Sequence, residues 1–298
     1  VLYVGKASSL KTRVNSYFQK RRGLATRQRE LLTQVAQVDT RMCATAVHAA
    51  LLECRDIQHY DPPYNRCLKT AGRQLAFCDY SLEQIATHTS PEFSIGPFAN
   101  RWIPQSLNNL FHLLLDHRDD GGLFSDRLTT SDLKQGLNDF RQKLALKSLQ
   151  SPRDLLAQGL RLLKCSNYNN GHEDAADQDL DTTVTPTKIC ERCQHILLNA
   201  AQHYRRARWL TRLLVAEVHW RENHVTHTLR LRDYIAIPTK TQNWTGLGVE
   251  AYDLARTLLS EIHRLRASGI SVNLRLPGQC GTDRKKQSPD DQANRVAT

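Results

Sequence analysis

The sequence predicts an α/β chain of the α+β kind, and three observations carry that expectation. Short β-leaning runs bounded by turn residues occur at LYVG, RQLAFCDYS and ISVNLRL. Longer stretches repeat their apolar residues every three or four positions, the spacing of a helix buried on one face. Glycine, proline and acidic clusters separate the two kinds of segment. The expected form is a small domain with a short antiparallel sheet flanked by helices, followed by a mixed α/β C-terminal region. The chain has 298 residues, enough for two compact units.

The elements follow in order. LYVG reads as a buried strand stopped at Gly5. Ser8 or Ser9 can cap a helix in which Leu10, Val14 and Tyr17/Phe18 recur at helical spacing. RQRELLTQV is a second helix and VDTRMCAT a second strand. Thr45 caps a third helix, whose apolar positions Val47, Leu51, Cys54 and Ile57 step by three or four until Asp61-Pro62-Pro63 breaks it. RQLAFCDYS leads out, and residues 1–90 form the first domain. FSIGPFANRW is a turn-like entry to a helical region over 91–165, with amphipathic stretches at 104–117, 130–146 and 152–164. Residues 166–187 are polar and acidic around an Asn-Gly, a flexible loop by composition. Residues 188–278 are mixed α/β. ICERCQHILLNAAQHY is helical there, and 209–220 and 225–236 are β-leaning runs forming a hairpin about Arg-Glu-Asn. A helix at 248–267 and the strand ISVNLRL follow. Residues 279–298 are poor in apolar side chains and read as a disordered tail.

Composition narrows the function classes. No apolar run approaches the roughly 20 residues of a membrane span. The start lacks the charged-then-apolar pattern of a secretory signal, and the eight scattered cysteines then suit a reducing, cytoplasmic setting. The net charge is +11, of which residues 1–75 supply +8 through thirteen Lys/Arg against five acids. A basic block of that kind suits a polyanion such as nucleic acid, with Lys11, Lys20, Arg21, Arg22 and Arg66 as candidate DNA contacts. Read alone, it is equally a solvated basic face.

Two strings carry chemistry: LYVGKASSLKTRVNSYF and ALLECRDIQHYDPPYN. Their order and spacing resemble the GIY-YIG nuclease domain in its UvrC/Cho form, over residues 1 to about 80. Hydrolysis of a phosphodiester needs an activated water, neutralised phosphate charge and a stabilised leaving oxygen. Tyr3 stands just before Gly5, which permits close approach of backbone or substrate. A phenol titrates near about 10, and the nearby cations Lys6 and Arg13 would favour its phenolate. Arg13 and Tyr17 are four residues apart, on one helix face, and the arginine fork suits phosphate oxygens. Glu53 is a carboxylate for one divalent cation, and a single carboxylate plus waters suits Mg²⁺. Asn65 can tie the chain back to the site or contact phosphate. Taken singly, each residue is an ordinary strand, surface or turn residue; together they form a constellation.

The resemblance implies an endonuclease of nucleotide excision repair, in an SOS-type damage response, using Mg²⁺ or Mn²⁺. In the family the matching tyrosine activates water, with the lysine beside it. The implied partners are damaged double-stranded DNA and a UvrA/UvrB-type damage-recognition complex. CLKTAGRQLAFC is closer to the shorter Cho-type branch, and beyond GPFANR neither tandem helix-hairpin-helix motifs nor an RNase-H-like acidic set is legible, so one incision is expected. Two departures stand out. The family's first strand, with its Gly-x-Tyr, would lie before Val1. His48 replaces a position that is often acidic, which is expected to alter a helix-cap contact. Two alternatives stay open: the C-terminal part of a proofreading-type 3′–5′ exonuclease fusion, and a catalytically weak DNA-binding module. Cys190-x-x-Cys193, with Cys165, His172 or His195, is a candidate metal half-site without a matching second pair, and no metal is the preferred reading. Trp102, Trp209, Trp220 and Trp244 are read as core residues rather than base-stacking platforms.

Overall fold

The structure is a computed structural model that describes residues 1–19, 25–116, 122–124, 129–146, 149–165, 185–237 and 243–277. The fold is α+β, as the sequence indicates. Helices α1 (Leu10–Gln19), α2 (Thr26–Gln34) and α3 (Ala46–Tyr60) come first. A small sheet follows, of β1 (Ala76–Cys78), β2 (Ile85–Ala86) and β3 (Ile95–Phe98). Then come α4 (Trp102–Asp116), α5 (Thr130–Lys143), α6 (Pro152–Cys165) and α7 (Pro186–Val215). A second sheet is built from β4 (Glu217–Glu222), β5 (Val225–Arg230) and β6 (Val272–Arg275), with α8 (Val249–Ala267) between the last two in sequence. Both sheets are antiparallel, ordered β2-β1-β3 and β5-β4-β6.

α3 is bounded as its sequence indicates. The Thr45 hydroxyl accepts from the His48 backbone N–H, and Asp61 ends the helix in the left-handed region at φ 40°. Its buried stripe is Val47, Ala50, Leu51, Cys54 and Ile57.

Four expectations are corrected. LYVG and VDTRMCAT are not strands; residues 1–7 and 35–43 carry no regular structure and pair with no strand among the described residues. An extended run needs a ladder partner to become a strand. FSIGPFANRW contains a strand, β3, at the edge of its sheet, where Pro97 removes no needed ladder donor. The β-leaning run 209–220 divides: Leu210, Leu213 and Leu214 are buried at helical spacing and extend α7 to Val215, so β4 starts only at Glu217. The run 225–236 likewise ends its strand at Arg230, and a 3₁₀ turn, Leu231–Asp233, follows. The expected loop at 166–187 and the tail at 279–298 fall almost wholly outside the described residues, save that α7 begins at Pro186, capped by Thr185.

Two cores result. One gathers Val47, Leu51 and Cys54 of α3 with Leu75, Phe77, the C-terminal half of α7, the second sheet and α8. The other packs β1, β3 and helices α4 to α6 around the N-terminal half of α7. Trp220 and Trp244 are buried, Trp209 is half-buried and Trp102 is 63% exposed. Among the described residues no helix is long and apolar enough to cross a membrane.

Two glycines let α7 serve as the bundle's axis. A Cβ on Gly136 of α5 would lie 2.6 Å from Ile189 Cβ, and one on Gly159 of α6 would lie 2.9 Å from Leu197 Cδ1. Alanine gains helix propensity worth up to about 1 kcal/mol, but overpacking a filled core costs about 1–3 kcal/mol. We therefore expect Gly136→Ala to lower the free energy of unfolding by about 1–2 kcal/mol in urea titration; an unchanged or raised midpoint would show that α5 can move away freely.

Candidate active site

The N-terminal segment is held by the Asn65 side chain and one backbone hydrogen bond rather than by a sheet. Asn65, just past the Pro62-Pro63 break, is buried at 8% exposure. Its Oδ1 accepts from Val4 N at 3.0 Å and its Nδ2 donates to Val4 O at 2.9 Å. Tyr64 N donates to Leu2 O at 3.2 Å. This two-point clamp satisfies backbone groups that a neighbouring strand would otherwise take.

Tyr3, Arg13 and Tyr17 form one cluster. Arg13 Nη2 donates to the Tyr3 hydroxyl at 3.2 Å. The two tyrosine rings meet edge-on at 6.1 Å, and the Arg13 guanidinium lies 5.3 Å from the centroid of the Tyr17 ring. Gly5 is required there: a Cβ would fall 2.8 Å from Tyr3 Cε1 and 2.9 Å from its hydroxyl. Burial, then contact with the Tyr3 phenol, pushes the Tyr17 hydroxyl up to about 12, so Tyr17 is a neutral donor at ordinary pH. The Tyr3 hydrogen bond, then the Tyr17 phenol, raises the Arg13 guanidinium.

Glu53 joins this cluster through the backbone. Its Oε1 accepts from Lys6 N at 2.9 Å. The Lys6 ammonium, expected beside Tyr3, turns to α8, where it meets Glu261 Oε1 at 2.7 Å. The cause is electrostatic: Glu261 is buried at 4% exposure and needs cations, and Arg264 Nη1 is its second, at 2.9 Å. Among the described residues no group of three or more His, Cys, Asp or Glu could hold a metal ion. Glu53, half-buried and with Oε1 oriented by a backbone donor, fits a single-carboxylate Mg²⁺ site completed by waters and phosphate.

A cleft of about 330 Å³ opens on the cluster, lined by Tyr3, Arg13, Tyr17, Arg27, Tyr64 and Arg66 among others. Arg66 thus reaches the site, whereas Lys11 is exposed on α1. Lys20, Arg21 and Arg22 lie outside the described residues. Sequence reasoning missed Arg27, whose guanidinium lies 5.7 Å from the Tyr64 ring centroid and donates to Pro63 O. It also missed Glu261; neither residue lies in the two matching strings, and only tertiary contact reveals them.

His48 alters a cap contact and more. Its Nδ1 is 2.7 Å from Thr45 Oγ1, while its ring lies 6.0 Å from Trp220 and 6.5 Å from His227. Cys190 and Cys193 are buried on α7. Burial, then the neighbouring Cys190, pushes the Cys193 thiol up to about 12. His172 and the Cys165 side chain are outside the described residues, and His195 is on α7.

A paired tyrosine–arginine cluster, a helix-borne carboxylate and a cationic cleft thus meet at one place. Residues 1–66 match the UvrC-like GIY-YIG domain. The UvrABC system protein C of Pseudomonas aeruginosa (strain LESB58) is 48% identical over 69 residues, which are 23% of this chain and 11% of that protein. That of Pseudomonas fluorescens (strain SBW25) is 46% identical over the same length and shares. That of Mycolicibacterium vanbaalenii is 45% identical over 65 residues, 22% of this chain and 10% of that protein. The chain thus spans only about a tenth of the length of the curated relatives it matches. No solved structure matches.

Two outcomes are expected. Asn65→Asp keeps the acceptor for Val4 N but sets a carboxylate oxygen against Val4 O; loss of the donor should destabilise the clamp by about 1–3 kcal/mol and expose Val4 and Gly5 amides to faster hydrogen exchange. Unchanged exchange would show that Asn65 does not anchor the segment. For His48, burial and then His227 lower the pKa below the free value near 6.5. The unfolded chain therefore binds the proton more readily, so this stability is present above pH ~6.5 and is lost as pH falls through the lower folded value. His48→Gln should flatten the decline of unfolding free energy between about pH 7 and 5; an identical slope would rule out this contribution.

Proposed function

We propose that this chain is a DNA endonuclease of nucleotide excision repair that hydrolyses one phosphodiester bond near a lesion, with Mg²⁺ or Mn²⁺. The observation that carries the reading is the Arg13–Tyr3 hydrogen bond at 3.2 Å, set over a cleft lined by arginines and tyrosines. In this reading the Tyr3 oxygen, held by the cationic Arg13 fork, accepts the proton of the attacking water. Arg13 also faces the phosphate oxygens, and the neutral Tyr17 hydroxyl donates a further hydrogen bond. Glu53 would hold the divalent cation, whose charge neutralises the phosphate and the leaving oxygen when bound. Lys6 orients Glu53 through its backbone N–H and anchors the segment to α8 through its ammonium. The single constellation of this kind, with the Cho-like string CLKTAGRQLAFC, favours one incision. The relatives' printed name suggests that a UvrA/UvrB-type complex delivers the substrate.

A second reading, a DNA-binding module with little catalysis, is favoured by the Lys6 ammonium being directed to Glu261 instead of Tyr3. One assay separates the two: nicking of a lesion-bearing duplex with Mg²⁺ or Mn²⁺. We expect Tyr3→Phe and Glu53→Gln to reduce the rate about 10²-fold or more. Gly5→Ala should do nearly the same, because its methyl displaces the Tyr3 ring. Nicking that persists in Glu53→Gln would sink the metal-holding role given to Glu53; duplex binding without cleavage in the unsubstituted chain would sink the nuclease reading and establish the second.

A further inference from the structure

On the packed pair α7 and α8, residues Gln202, Arg205, Arg206 and Trp209 face residues Arg256, Leu259, Ser260 and His263 across a groove of about 350 Å³. Each set has the spacing i, i+3, i+4, i+7, the stripe that two packed helices ordinarily fill with apolar side chains. Here the two stripes bring three arginines, a histidine and a tryptophan to one cleft with no carboxylate on its walls. Among the described residues no acidic side chain pairs with Arg205 or Arg256. Excess positive charge is felt inside: burial first, then Arg266, Arg205 and Arg206, lower the pKa of His263.

We propose that this groove binds the phosphodiester backbone of DNA, as a second anion site apart from the Tyr3 cleft. The choice of DNA among polyanions rests on the nuclease reading above. Seven residues of helix span about 10 Å, the rise of about three phosphates on one strand. Arginine forks suit those oxygens, and the half-buried Trp209 offers a ring face to a base. The groove is also tied to the active site: Ser260 lines it, and the next residue, Glu261, holds Lys6. DNA seated on α8 would therefore engage the helix that anchors the nuclease segment.

The test is fluorescence anisotropy of the full chain with a 30-base-pair duplex in EDTA, across a NaCl series. Arg205→Ser with Arg256→Ser removes two groove cations; Arg206 is spared because it reaches the buried Tyr252 hydroxyl. Arg208→Ser with Arg221→Ser removes the same charge from exposed positions outside the groove. We expect the groove variant to weaken binding about tenfold or more at 100 mM NaCl and to lower the steepness of log K against log salt by about 2, with the control within about twofold of the parent. Circular dichroism melting verifies that both variants fold. If the groove variant does not fold, Trp209→Phe and Ser260→Glu take its place, the latter expected to weaken binding likewise. An unchanged slope in a folded groove variant would overturn the proposal, as would an equal loss in the control. So would displacement of the duplex by polyglutamate of equal charge as effective as by unlabelled duplex. Binding without metal is independent of cutting, so a chain that never nicks still passes this test, and one that nicks normally can fail it.

Discussion

The packing of α3 against α8 is the constraint on which the rest of the structure depends. α3 buries Val47, Leu51 and Cys54 in the core that α8 shares, and it carries Glu53 beside that stripe. α8 in turn holds two buried carboxylates, Asp253 at 0% and Glu261 at 4% exposure. Both draw cations from the N-terminal quarter of the chain. Arg73 grips Asp253 with two bonds, at 2.6 and 3.0 Å, and Lys6 meets Glu261 at 2.7 Å. A buried carboxylate left alone costs several kcal/mol, so neither segment can lose its partner cheaply. The apolar contact supplies the attraction, and the ion pairs set which residues must face each other.

Much of the helical structure was legible because its signals are local. The Thr45 cap, the three-and-four spacing after it and the stop at Asp61-Pro62-Pro63 lie within nineteen neighbouring residues, and α3 follows them. The same local logic failed where a partner was needed. LYVG and VDTRMCAT have the composition of strands, yet a strand is made by its ladder, and none is present there among the described residues. Residues 209–215 show the opposite failure: their β-leaning side chains became helix because Leu210, Leu213 and Leu214 fit one buried face of α7.

The site divides along the same line. Tyr3, Arg13 and Tyr17 lie within fifteen residues of each other, and their contact follows from one short turn and one helix. Glu53 and Asn65 come from 47 and 61 residues away, and only the matching strings indicated them. Glu261 is 255 residues from Lys6 and gave no signal at all. An unremarkable acid in an amphipathic helix reads as solvated until the structure shows it buried.

Lys6 joins these two levels in a single residue. Its backbone N–H fixes the Glu53 carboxylate, while its ammonium is held by α8. The direction of the Glu53 oxygen therefore depends on how the Lys6 backbone sits, and that depends on the packing of a helix far along the chain. A displacement of α8 would act on both ends of this link: it would free the ammonium to move toward Tyr3 and loosen the backbone donor that orients Glu53. The same helix presents Arg256 and His263 on its outer side. One element thus receives the cations that position the N-terminal segment on one face and turns Arg256 and His263 to a groove on another. Charge that the sequence displays as a diffuse excess is sorted by the fold, among the described residues, into internal pairs such as Lys6–Glu261, exposed side chains and arginine-lined clefts, and the clefts concentrate it where an anionic ligand could be gripped from several sides.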